Sequence, residues 1–305
     1  MLILNTMCKL MFAAGVGYYL NKRGILDAKI NAGISSLIIQ VTSPCLIISS
    51  VTSVDSSDKS LAIQLLLIAI VVYCVLPVLA FVLSRIFRFP KDVRKTYECM
   101  LIFANTGFIA LPILQSIFGS EAAFYNSLLN MPFNFLFFSL GAYMLAQDGE
   151  EKFNFRPQQL LSVGIISSVL AIIIYFGDIT LPTFISESLS FVGNITTPLS
   201  MISIGCSVAT YSIKEILSNK DLYLIALLRL AVIPLITYFS LSALIDNTMI
   251  IQMVTICFGM PVGSMVAMGA CEYNGNIKAA SSGVALTTIL CVITIPIMLM
   301  LLGVS

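Results

Sequence analysis

The stretch Phe103-Ala104-Asn105-Thr106-Gly107-Phe108-Ile109-Ala110-Leu111-Pro112 decides how this chain is read. It lies inside an apolar segment of membrane-spanning length, yet it carries Asn, Thr, Gly and a late Pro. In hydrocarbon every backbone N–H and C=O needs a partner, so a weakened helix persists only where protein or a wet cavity surrounds it. Such an interruption points to a transporter's substrate site when the other half of the chain holds a counterpart. The counterpart is Phe258-Gly259-Met260-Pro261-Val262-Gly263-Ser264.

The surrounding composition agrees. Of 305 residues, 58% are hydrophobic and 10% charged, whereas a soluble domain carries about 25% charge. This is the composition of a polytopic all-α membrane protein. The net charge of +1 argues against nucleic acid, which demands a basic patch. The absence of His removes imidazole metal sites, Ser-His and Cys-His dyads and His proton relays, so neither an enzyme nor a metal site is expected. The eight Cys form no CxxC pair and fall in or beside apolar segments, as small apolar packing residues do. No cofactor is implied. The apolar N-terminus reads as a first span rather than a cleaved signal, because no A-x-A-like site follows it.

Ten apolar segments have spanning length: 2–20, 31–53, 61–83, 99–118, 122–146, 159–176, 185–210, 222–244, 248–271 and 279–303. Odd-numbered loops hold thirteen Lys and Arg residues, from Lys22 to Lys278, and even-numbered loops hold only Lys59. The positive-inside rule then places the odd loops in the cytoplasm and both termini outside, in a multi-pass cell membrane protein.

The chain also repeats itself. Val41-Thr42-Ser43-Pro44 is echoed by Ile195-Thr196-Thr197-Pro198, and Val75-Leu76-Pro77 by Val232-Ile233-Pro234. The interrupted segments 4 and 9 form a third pair in the same order, so a duplication with halves 1–153 and 154–305 is expected. Five spans is an odd number, which inverts the second copy relative to the first. Pro44, Pro112 and Pro198 are the expected helix breaks or hinges.

In that topology the two interruptions meet antiparallel. Each second half-helix starts there and presents free N–H groups and a partial positive charge. Asn105 suits the N-cap of one, while Gly107 and Gly263 permit close backbone approach. Asn105, Thr106 and Gly107 with Pro261, Val262, Gly263 and Ser264 thus form a candidate anion site that needs no charged side chain. Ordinary Pro kinks with Gly packing faces are the alternative. Asn130 and Asn134 in segment 5 and Ser281, Thr287 and Thr288 in segment 10 are further candidates to line it, Asn134 foremost.

Two basic residues lie within segments, Arg229 and Lys9. Each is a candidate partner for an anionic substrate, with snorkelling as the alternative. No Asp or Glu stands at mid-segment, which weakens the case for a carboxylate proton carrier. Glu272 is the remaining candidate, or else an interfacial charge facing Lys278.

Four stretches together resemble the auxin efflux carrier family of membrane transporters. They are Asn105-Thr106-Gly107-Phe108 with Leu111-Pro112 and Phe118-Gly119; Pro198-Leu199 through Ile204-Gly205-Cys206-Ser207-Val208-Ala209; Arg229-Leu230 before Pro234; and Met260-Pro261 through Glu272-Tyr273. The resemblance implies a 5+5 inverted repeat with broken, crossing helices 4 and 9, as in sodium–proton antiporters and bile acid symporters. It further implies a scaffold of 1–55 plus 159–212, a transport domain of 60–147 plus 220–305, elevator-type alternating access, and a homodimer in the lipid bilayer. Plant PIN-type carriers have Pro-Asn at the first crossing; Asn105 matches and Ala104 replaces the Pro. The long central loop of many plant members is missing, so the chain is similar to short microbial forms, whose substrates include malate and malonate.

The expectation is a secondary active transporter of a small organic anion, coupled to H+ or Na+. A sodium-coupled symporter of the bile acid type and a substrate sensor that does not translocate are the alternatives.

Overall fold

The computed structural model describes residues 2–54, 59–148, 162–210, 219–273 and 275–303. All regular structure among these residues is helical, and each of the ten predicted segments contains helix. Six helical stretches are long and apolar enough to cross a membrane: Ala28–Ser50, Lys59–Ile86, Ala122–Gln147, Thr183–Thr210, Lys220–Ser242 and Ile277–Leu301. The expected basic residues Lys152, Arg156 and Lys214, and the junction between the two halves at 153/154, lie outside the described residues.

Helix boundaries follow local chemistry. Asp27, Ser162, Asn219, Asn247 and Asn276 each accept a hydrogen bond from a backbone N–H in the following first turn, which satisfies a donor that the helix itself cannot. At the other end, Gly119 follows Leu111–Phe118 with φ +83°, a conformation that penalises any residue with a Cβ.

Three prolines sit in one local arrangement. Pro44, Pro112 and Pro234 each follow a five-residue π turn, at Ile38–Thr42, Thr106–Ala110 and Leu228–Val232. Proline lacks an N–H and its ring crowds the carbonyl four residues back; a widened turn accommodates both. Pro198 differs. It lies in the first turn of Thr196–Thr210, just after a break at Asn194 and Ile195, where its missing N–H costs nothing.

Packing sorts the helices by surface chemistry. Leu2–Lys22 lies along Thr196–Thr210, and the contact is made by glycines on both sides. A Cβ on Gly17 would run into the Ile202 carbonyl, and one on Gly205 into that of Ala14. Small residues admit this backbone approach where no hydrophobic effect operates between helices. Lys22 to the Ala209 carbonyl at 2.9 Å adds a polar link between these two helices, and Asn31 of the next helix, Ala28–Leu37, reaches Ser207 at 3.0 Å. Gly193 likewise meets the Leu46 backbone. Elsewhere Lys59–Ile86 packs on Ala122–Leu136 and Arg94–Ile102. There Tyr73 contacts Phe258 and Phe133, with ring centroids 5.2 and 6.0 Å away, and Phe103 stands edge-on to Phe133 at 5.4 Å. This aromatic group, from segments 3, 4, 5 and 9, packs around the ends of both interrupted helices.

Candidate functional site

Arg94–Ile102 ends at Phe103, whose φ of −100° and ψ of 103° turn the chain into an extended conformation. Thr248–Phe258 ends at Gly259, with φ −91° and ψ 0°, and the chain is unwound from there to Gly263. The two extended pieces run antiparallel and pair at Ala104 and Val262. Asn105 donates its backbone N–H to the Pro261 carbonyl at 2.8 Å, and Gly263 donates its own to the Phe103 carbonyl at 2.8 Å. Thr287 Oγ1 accepts from the Val262 N–H at 3.1 Å. Each interruption therefore satisfies the backbone groups that the other leaves open, which is what lets unwound chain survive within an apolar body.

The two glycines play different parts. A Cβ on Gly263 would stand 2.9 Å from the Ala104 carbonyl oxygen, so the expected close approach holds there. Gly107 corrects the expectation: nothing lies within 4 Å of its would-be Cβ, and the residue is exposed. It opens a face of the crossing rather than closing a contact. Pro261 and Val262 are buried and Ser264 is half-buried.

Asn105 is the N-cap of the second half of segment 4, its Oδ1 accepting from the Phe108 N–H at 3.1 Å. Thr106 donates its hydroxyl to Asn130 Oδ1, and Asn126 Nδ2 donates to the Thr106 carbonyl at 3.2 Å. Asn130 and Asn134 each donate to the carbonyl one turn earlier, at 2.8 and 2.9 Å. The Asn134 amide donates within its own helix, whereas Asn126 and Asn130 also reach Thr106. The signal was present: asparagines at 126, 130 and 134 form one stripe at helical spacing.

The charged candidates take up different surroundings. Arg229 is completely buried, held by the π turn Leu228–Val232. Its Nε donates to the Met260 carbonyl at 3.1 Å and its Nη1 to the Leu101 carbonyl at 2.8 Å. Leu101 lies in the last turn of Arg94–Ile102, and Met260 lies just beyond the end of Thr248–Phe258, close to where partial negative charge gathers. Arg229 therefore pairs with helix ends rather than standing open to a ligand, and its Nη2 has no hydrogen-bond partner among the described residues. Lys9 is exposed on Leu2–Lys22, and Glu272 is exposed at the far end of Ser264–Glu272. That places Glu272 about 12 Å along the helix axis from the crossing.

Another carboxylate is buried instead. Glu98, 1% exposed, accepts from Ser84 Oγ and from Lys95 Nζ at 2.7 Å. The tight packing of Lys59–Ile86 against Arg94–Ile102 encloses it. Asp148 caps the start of that half-helix, accepting from the Thr96 N–H and hydroxyl, each at 2.7 Å. Burial pushes the Asp148 carboxyl up despite those bonds.

A family model described as membrane transport protein matches residues 2–164 and 158–299. An uncharacterized transporter of Methanocaldococcus jannaschii is 25% identical over 285 residues, 90% of each chain. One of Methanothermobacter thermautotrophicus is 25% identical over 300 residues, 96% of each chain.

Proposed function

This chain belongs to the membrane transport protein family, and we propose that it is a secondary active transporter of a small organic anion, a carboxylate or dicarboxylate. One observation carries the proposal. Two second half-helices begin at the same crossing, while Arg229 takes the opposite, negative ends of the first halves. Asn105 caps the second half of segment 4, but the second half of segment 9 starts at Gly263 without a side-chain cap, so the crossing keeps a positive helix end, an arrangement that attracts an anion.

In this proposal the anion sits against Asn105, Thr106 and Gly107 on one side and Pro261, Val262, Gly263 and Ser264 on the other. Exposed Gly107 and half-buried Ser264 are its points of access. The ten segments cross the cell membrane as two inverted repeats, with both termini outside. A scaffold of 1–55 plus 159–212 holds still while 60–147 plus 220–305 moves past it as an elevator. The Gly17 and Gly205 contacts support a rigid scaffold. The bond from Thr197 Oγ1 to Gln115 Oε1 at 2.7 Å is one that this motion must break. The scaffold also joins two copies as a homodimer, and no cofactor takes part beyond a coupling H+ or Na+.

The test is counterflow in proteoliposomes with malate, malonate and an auxin-like aryl carboxylate, with and without sodium. Loss of affinity and flux in Asn105→Ala supports the site, and unchanged values for a confirmed substrate overturn it. Binding without counterflow would make the protein a sensor. Strict sodium dependence would make it a symporter of the bile acid type.

A further inference from the structure

The scaffold and the moving part proposed above are fastened to each other at one end. Lys59, the first residue of Lys59–Ile86, donates to Asp178 Oδ2 at 2.7 Å and to the Phe176 carbonyl at 3.2 Å. Phe124 and Tyr175, both buried, pack with ring centroids 4.8 Å apart. Leu46, Leu111 and Ala123 form a small buried cluster of their own, and Thr197 Oγ1 donates to Gln115 Oε1 at 2.7 Å. Each of these contacts joins segment 2, 6 or 7 to segment 3, 4 or 5, and most of the residues lie in or close to loops 2, 4 and 6. At the opposite, basic end the side-chain bonds stay within one part. Lys22 and Asn31 reach segment 7, while Ser84 reaches Glu98 and Asn219 reaches Tyr97.

The two second half-helices share this asymmetry. Beyond Asn105, Thr106–Ala110 packs on Thr196–Thr210 and Leu111–Phe118 on Leu2–Lys22, both in the scaffold. Ser264–Glu272 instead packs on Ile277–Leu301, Arg94–Ile102 and Ala142–Gln147, all in the moving part. Ser264, Met268 and Glu272 recur every four residues and so share one face. Ser264 is half-buried, Met268 is 60% exposed and Glu272 is exposed. That face runs from the crossing to loop 9, and its hydroxyl and carboxylate suit water rather than lipid.

Taking the division and the orientation proposed above, we infer that the contacts at loops 2, 4 and 6 are a clasp that shuts the crossing from outside. In this state an anion reaches the crossing from the cytoplasm, along the face of Ser264, Met268 and Glu272. Access from outside requires the moving part to leave the scaffold at the clasp, so Lys59 must part from Asp178. Their side chains are 31% and 61% exposed, and an ion pair this wet separates at small cost. A buried pair would resist release far more strongly. The clasp thus biases the resting state without locking it.

The experiment labels the full chain with a membrane-impermeant maleimide, in intact cells and in inverted membrane vesicles. Ser264→Cys supplies the target, read at residue 264 by mass spectrometry. Labelling is expected to be at least tenfold faster from the cytoplasm than from outside. In that background Lys59→Met and Asp178→Asn are each expected to speed labelling from outside by about two- to fivefold, the range an exposed ion pair allows. Asparagine tolerates the φ of +48° at position 178. Both together are expected to do no more than either alone, since each removes the same pair. Lys59→Arg keeps the pair and is expected to leave the rate unchanged. Equal or faster labelling from outside at the start, rates that ignore Lys59→Met, or additive effects of the two substitutions overturn the inference. Labelling needs no substrate, so an unaffected Asn105→Ala carrier would remove the anion site and leave this result standing.

Discussion

Arg229 and Leu101 are 128 residues apart in sequence, and the Arg229 Nη1 donates to the Leu101 carbonyl at 2.8 Å. With the bond to Met260, one guanidinium closes the ends of two helices that approach from opposite directions. Its planar fork suits this better than a point charge. A charge-assisted hydrogen bond is worth about 1.5–3 kcal/mol.

Arg229→Met is therefore expected to destabilise the protein by roughly 3–5 kcal/mol, since two buried carbonyls each lose a charge-assisted hydrogen bond. Arg229→Lys, able to reach one carbonyl, is expected to fall between. Thermal unfolding in detergent measures both. Wild-type stability with transport alone abolished would show that the role is contact with substrate.

Gly263→Ala places a methyl 2.9 Å from the Ala104 oxygen, backbone against backbone, and neither can swing aside. It is expected to cost about 1–3 kcal/mol, as overpacking does. Gly107→Ala meets empty space and is expected to be neutral or to stabilise by about 0.5–1 kcal/mol. If the proposed site is right, it nonetheless raises the KM for the anion. Equal stability effects at both glycines would contradict the crossing geometry.

Asn105→Asp separates capping from binding. Aspartate caps as well as asparagine, so the unfolding temperature is expected to stay near wild type while affinity for a carboxylate falls at least tenfold by like-charge repulsion. Asn105→Ala is expected to lose about 1 kcal/mol along with the cap. An Asp variant that transports normally would mean that the substrate is not an anion.

The Asp148 carboxyl is raised above its ordinary 3.8, chiefly by burial, with the Thr96 bonds opposing. In the window between those two values the native state binds more protons than the unfolded one. Stability therefore falls as pH rises through the window and is level above it. Asp148→Asn is expected to flatten that decline, read as unfolding temperature against pH relative to wild type. Parallel curves would show that Asp148 does not titrate there.

How much of this was legible depends on the range of the interaction. The caps at Asp27, Asn219, Asn247 and Asn276 follow from bonds spanning two or three residues. The breaks at Asn105 and Pro261 follow from residues unfit for a lipid-facing helix. Asn126 was missed although its stripe with Asn130 was visible, because periodicity does not say which polar residue meets a partner. Arg229 was singled out as a charge in an apolar segment, and its partners were two backbone carbonyls with no sequence signature.

Composition and periodicity alone determined a polytopic helical membrane protein with two interrupted segments, since both rest on local hydrogen bonding and on transfer of side chains out of water. Only the tertiary structure decided that Gly263 closes a contact while Gly107 opens a face. The same holds for Arg229, whose guanidinium reaches the Met260 and Leu101 carbonyls. Those outcomes depend on which atoms of remote segments come within about 3 Å of one another, a matter of packing that no local pattern encodes.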